Sequence, residues 1–121
     1  MRITIGNTSF DVDLYDNAAA RSLAQSLPQE ISMSRWGDEF YGSLKQRVEY
    51  AKDPLQDVFA VGEVALWPSG NALCIFFGPT PASHGSEPRM ASPGVALGKI
   101  KGDIQALRSL GSSLSKVVIA E

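Results

Sequence analysis

Thiols, imidazoles and surplus charge are all scarce in this chain, and each scarcity removes a class of function. Its 121 residues include one cysteine, Cys74, and one histidine, His84. A single thiol builds neither a disulfide framework nor a thiolate metal site. Any Ser-His-Asp, Cys-His or metal scheme would have to pass through His84, which sits in Ser-His-Gly-Ser with no partner at helical or strand spacing. No metal site and no cofactor is expected. The 11 basic and 13 acidic side chains leave a net charge of -2 and are scattered along the whole length. No stripe is set up to neutralise a phosphate backbone, so nucleic acid is not an expected partner. Nowhere does an apolar run approach the ~18 residues of a membrane span. The opening MRITIGNTSFDVDL also lacks the apolar stretch of ~7 residues and the small-residue cleavage site of a secretory signal. The expectation is a soluble, uncleaved protein with no membrane partner, suited by its cysteine usage to a reducing cytoplasm.

What the chain does have is β-strand pattern. At this length it can bury roughly 65% of its unfolded surface without a staple, which predicts a single domain over residues 1–121. Ile3 and Ile5, then Phe10, Val12 and Leu14, alternate with polar residues around Gly6-Asn7, a hairpin signal. Asp16 or Asn17 can cap a helix in which Ala19, Leu23, Ala24 and Leu27 recur at three- and four-residue spacing before Pro28 stops it. Ile31 and Met33 alternate with serines in a third strand that ends near Trp36-Gly37. Between Asp38 and Leu55 the pattern weakens, and Phe40-Tyr41 and Val48-Tyr50 predict short edge strands or a flap. The densest apolar sequence is Gly62 to Pro79, read as two strands joined at Pro68-Ser69-Gly70-Asn71. Pro79 to Pro93 reads as a long surface loop carrying one large apolar residue, Met90. Val95 to Lys101 then predicts a strand, Asp103 to Leu110 a short helix, and Lys116 to Ala120 the last strand. Gly6-Asn7-Thr8 and Gly70-Asn71 lie between strands, where a positive φ is wanted. They read as turns, not phosphate loops. The fold class is mainly β: a closed β-barrel of about eight strands with two short helices.

The order of hairpin, helix, strand ending in Arg35, a Phe76-Phe77 strand, Val95-Ala96-Leu97-Gly98-Lys99-Ile100, short helix and Lys116-Val117-Val118-Ile119-Ala120 resembles the cyclophilin fold. WPSGNALCIFFGPTP, residues 67 to 81, resembles more closely the small bacterial and archaeal cyclophilin-like family of minimal, uncharacterised versions of that barrel. The resemblance implies a site. Prolyl isomerisation needs an apolar cup for the proline ring and a cationic donor that supports the pyramidalising imide nitrogen and so weakens its amide resonance. Arg35 falls where cyclophilins carry the arginine of a Phe-His-Arg strand. Their Gln-Phe-Phe strand corresponds to Ile75-Phe76-Phe77, which keeps an apolar wall at Phe77 and replaces the substrate-binding amide by Ile75. Alternation puts Ile75 and Phe77 on one face. The tryptophan, leucine and histidine of the cyclophilin pocket fall opposite Arg89, Met90 and Gly94. The cup is thus partly kept and the polar positioning set mostly lost.

Each candidate carries a plainer alternative. Arg35 is a catalytic donor or an ion-paired surface arginine. Trp36 and Tyr41 line a ligand groove or lid the core. Met90 is a pocket wall or tucks down its loop. Cys74 reads as an inert buried thiol, and Asp38-Glu39 as a solvated turn rather than a carboxylate pair at the groove mouth. The expected function is a binding module for a proline-containing peptide or a small apolar ligand, held between the wall at Ile75 and Phe77 and the loop carrying Met90. A weak peptidyl-prolyl isomerase using Arg35 is the enzyme alternative. Self-association through an edge near Phe40 to Tyr50 is the structural one, and the oligomeric state is left open.

Overall fold

A computed structural model describes residues 1–121. Nine strands are present: β1 (Arg2–Ile5), β2 (Thr8–Leu14), β3 (Gln29–Arg35), β4 (Glu39–Ser43), β5 (Gln56–Val58), β6 (Glu63–Trp67), β7 (Ala72–Phe76), β8 (Arg89–Lys101) and β9 (Ser113–Ala120). They form one antiparallel sheet in the order β2-β1-β9-β3-β4-β7-β6-β8-β5, and β2 also pairs with β8. That extra pairing closes eight strands into a ring and leaves β5 attached outside it on β8. Closure removes the open edges that an eight-stranded sheet would otherwise present.

The one α-helix, α1 (Ala18–Gln25), follows β2. Asn17 caps it by accepting from the Ala20 amide at 2.8 Å. Asp53, from the irregular segment after β4, accepts from the Ala18 and Ala19 amides at 3.2 and 2.8 Å. Four helix-end donors need partners, and these two side chains satisfy three of them. Ala19, Ala20 and Leu23 face inward and join the ring interior. The second expected helix is not α-helical: Gln105–Ser109 makes a short 3-10 turn. Gly102, at φ +87°, stands just before it, and the Asp103 carboxylate accepts from the Gln105 amide at 2.8 Å. One tight turn suffices there because only Leu107 is fully buried.

Two further expectations change. β4 is no edge: it lies between β3 and β7 with both sides paired, so a self-association edge at Phe40 is not available. The Pro79–Pro93 stretch is a loop only as far as Pro88. β8 begins at Arg89, because β5 pairs with the segment, Val58 opposite Arg89 and Gln56 opposite Gly94. A non-local partner supplies the ladder that this polar, proline-containing sequence does not advertise.

The core has two parts. The ring interior holds 24 buried residues, among them Phe40, Ile75, Phe77, Leu97 and Ile119. Outside the ring a smaller cluster joins Phe59, Ala65, Cys74, Phe76 and Met90, with Trp67 and Ala96 half-buried against it. β7 is therefore buried on both faces, which is why ALCIF reads as a continuous apolar run and not an alternating one.

Candidate functional site

Successive side chains of a strand point to opposite faces, so each strand near the outer cluster divides between it and the interior. On β7, Ile75 and the following Phe77 go inward, while Cys74 and Phe76 go outward. Phe77 stacks on Phe40 inside the ring at 5.4 Å, and Phe76 stacks on Phe59 outside it at 5.0 Å. Fully burying each such ring is worth about 2–3 kcal/mol. Ile75 and Phe77 do share a face, as alternation requires, but it is the interior face. Neither lines a groove.

The outer face carries a pocket of about 220 Å³ lined by Trp36, Glu39, Tyr41, Trp67, Met90 and Ala91. Tyr41, Cys74, Ala65 and Ala96 are register partners in one row across β4, β7, β6 and β8. Three of these are small, so the surface lies low along that row while aromatic side chains rise beside it. Trp67 is held at one wall by a bond from its indole N–H to the Ser92 hydroxyl at 2.7 Å, and by its ring lying on Gly70. Trp36 and Glu39 come from the tight turn into β4, where the Trp36 amide donates to the Glu39 carbonyl at 2.8 Å. Gly37 makes that turn at φ +62°, and a Cβ there would lie 2.8 Å from Pro81 and 2.9 Å from the Thr80 backbone. Only glycine fits both the conformation and the space.

Glu39 is the single charged side chain of the lining. It is 3% exposed, and its Oε1 has no hydrogen-bond partner. Burial pushes its carboxyl up to about 7, an effect that the weak Cys74 donor only partly offsets. Burial, and then the charge of Glu39, raise the Cys74 thiol well above its ordinary value, which keeps it an unreactive neutral group. The expected solvated turn at Asp38-Glu39 is thus corrected: Glu39 opens a central strand and is enclosed.

Arg35 takes a different place. Ile31, Met33 and Arg35 share the inward face of β3, so Arg35 ends the interior stack, its guanidinium carbon 4.9 Å from the Phe77 ring centre and 5.9 Å from that of Phe40. It donates to the Gly37 carbonyl at 2.8 Å and the Asp38 carboxylate at 3.0 Å. Arg108 meets the same carboxylate at 3.1 Å and also covers Phe77. The structure therefore brings Trp36, Tyr41 and Met90 to the outer pocket, pairs Arg35 with Phe77 at the end of the ring, and leaves Ile75 in the core. Glu39 and Trp67 complete the pocket. Both were within reach of strand parity, since Glu39 is in phase with Tyr41, and Trp67 with Ala65.

The family model for cyclophilin-like proteins matches residues 1–120. This chain belongs to the cyclophilin-like family. The solution structure of a hypothetical protein from Archaeoglobus fulgidus is similar to it at 33% identity and a TM-score of 0.82, covering 99% of this chain and 92% of that one. No curated protein matches. In this cyclophilin-like chain the closed sheet and the outer cluster are the frame, and the pocket beside β4 is the concave feature that frame presents. No helix is long and apolar enough to cross a membrane.

Proposed function

We propose that this chain is a binding module that takes a side-chain-sized group of a peptide or small ligand into the outer pocket. The observation that carries this reading is the lining itself: five of its six residues are apolar or aromatic, and Trp36, Tyr41 and Trp67 surround a space of about 220 Å³. At about 30 Å³ per water, that space is worth roughly seven waters, room for one side chain and not for a drug-sized molecule. Concave apolar sites with one convergent polar group are the usual form of small-ligand sites. Isomerase chemistry is less well supported, because Arg35 is turned to the interior and its N–H groups are engaged by Gly37, Asp38 and Arg108.

The test is a set of amide chemical-shift titrations with proline-containing tetrapeptides and with n-butanol. Shifts confined to residues around Trp36, Tyr41, Trp67 and Ala91 are expected, and Ala91→Trp, a substitution at the exposed rim, should abolish them while the fold persists. Shifts elsewhere, or none with any probe, would sink the reading. A prolyl isomerisation assay run in parallel should give the uncatalysed rate for both wild type and Arg35→Ala.

A further inference from the structure

The side chain of Glu39 leaves one buried carboxyl oxygen without a partner in the fold. Its backbone makes the turn with Trp36, but Oε1 bonds to nothing, in a position enclosed by Phe76 and the pocket wall. An apolar residue there would avoid the desolvation of a carboxyl, so the acid is a net cost to the empty protein. A group that could repay it must reach the pocket and bring either a positive charge or a hydrogen-bond donor. Three aromatic side chains share that pocket with Glu39, and aromatic faces attract organic cations while offering nothing special to anions.

Resting on the pocket reading above, we propose that the ligand group is an alkylammonium, its apolar stem held among Trp36, Tyr41, Trp67 and Met90 and its charged nitrogen bound by the Glu39 carboxylate. The shared chemistry is that of a free alkylamine or of a lysine side chain on a peptide. A simple cation such as a metal ion is not favoured, because the wall offers a single carboxylate and five lining residues without a charge.

The other charged and titratable groups around Glu39 leave it unneutralised. Tyr41 shares its strand, and the Cys74 thiol on β7 stays protonated. Glu63, on β6, pairs in register with Lys99 on β8, and is already bound by the Tyr15 hydroxyl at 2.8 Å and the Ala60 amide at 2.7 Å. Arg89 on β8 is held by Asp57 and Glu87, and Asp38 is held by Arg35 and Arg108. No basic side chain lines the pocket.

Trp36 and Trp67 are the chain's only tryptophans and both line the pocket, so intrinsic fluorescence reports its occupancy. The probes are n-butylammonium, Nα-acetyl-lysine methylamide and the neutral isostere n-butanol, titrated at pH 8 and pH 5.5. At pH 8 at least one ammonium probe should bind tenfold or more tightly than n-butanol. The tighter of the two names the source. That preference should shrink at pH 5.5, where Glu39 is protonated, while n-butanol binding stays level. Calorimetry in buffers of different ionisation enthalpy at pH 6 should show proton release on ammonium binding. Glu39→Gln should bring ammonium binding down to the level of n-butanol at both pH values. If that variant does not fold, the wild-type pH dependence and proton release decide alone. Binding of n-butanol as tight as that of both ammonium probes at pH 8, or a preference that survives Glu39→Gln, would overturn the cation inference and leave the pocket standing. Silence from every probe would overturn both.

Discussion

A carboxylic acid moved from water into an apolar wall holds its proton to higher pH, and Glu39 does so to about 7. The unfolded chain ionises near 4.5. Between these values the native state carries the proton and the unfolded state does not. The contribution of Glu39 to stability is therefore full below pH 4.5 and is lost as pH rises toward 7, by roughly 3 kcal/mol over the window. Glu87 has the opposite sign. Amide donation from His84 first, then from Glu87 itself and Gly85, and the Arg89 guanidinium bring it down to about 2. Its contribution is present above pH 4.5 and fades as pH falls from there toward 2. The two windows do not overlap, so urea midpoints measured from pH 2 to 8 should rise to a maximum near 4.5 and then decline. Glu39→Gln should flatten the upper limb only, and Glu87→Gln the lower limb only. An upper limb unchanged in Glu39→Gln would mean that some other group carries it. Composition points to a solvated acid at residue 39 because Asp38-Glu39 follows Trp36-Gly37 like a surface turn. What encloses it is Phe76 and Met90, residues distant in sequence, and that contact has no local signature.

At the scale of elements, the join between β6 and β7 holds more than its own hairpin. Asn71 adopts the left-handed conformation at φ 45°, ψ 47°. Its Oδ1 accepts from the Val48 amide at 3.0 Å and its Nδ2 donates to the Gln46 carbonyl at 2.9 Å. The Leu44 amide also donates to its carbonyl at 2.9 Å. One turn residue thus fastens the irregular chain after β4, which in turn delivers Asp53 to the start of α1. Asn71→Ala removes two side-chain bonds worth about 1 kcal/mol each and loses the short polar side chain that lets asparagine adopt the left-handed region, where alanine costs about 1 kcal/mol more, a loss of about 3 kcal/mol in denaturant titration. Asn71→Gly keeps the backbone and should lose only about 2 kcal/mol. Equal losses in the two variants would mean that the side-chain bonds carry all of the effect. The Pro68-Ser69-Gly70-Asn71 turn was legible because turn chemistry is local. The phase of β7 was not: a strand buried on both sides has no alternation to read, and the interior and exterior roles of Phe77 and Phe76 follow only from which neighbours pack on each face.

For the whole molecule the decisive contact is the seam where β2 meets β8. Many short strands and two expected helices imply closure, and the likeness to cyclophilins implies it further, yet the register of that seam joins residues far apart in sequence. Asp11 pairs with Lys101, Val12 with Ile100, Asp13 with Lys99 and Leu14 with Gly98. Gly98 lies in this seam opposite Leu14, and a Cβ built on it runs into the Asp13 carbonyl and sits 3.0 Å from Leu14 Cα. Both obstacles are backbone, so they cannot step aside as a flexible side chain would. Gly98→Ala should destabilise the protein by about 3 kcal/mol, the upper part of the range for single substitutions. Gly111→Ala, where nothing lies within 4 Å, should be nearly silent. The losses should also be uneven. Because the ring is closed by this seam alone between β2 and β8, amide exchange should accelerate most on those two strands, by about a hundredfold, and least on the β3–β4 and β4–β7 pairs on the far side of the ring. Uniform acceleration across all strands would mean that the ring opens only by global unfolding. A Gly98→Ala protein as stable as wild type would mean that the closing register itself is wrong.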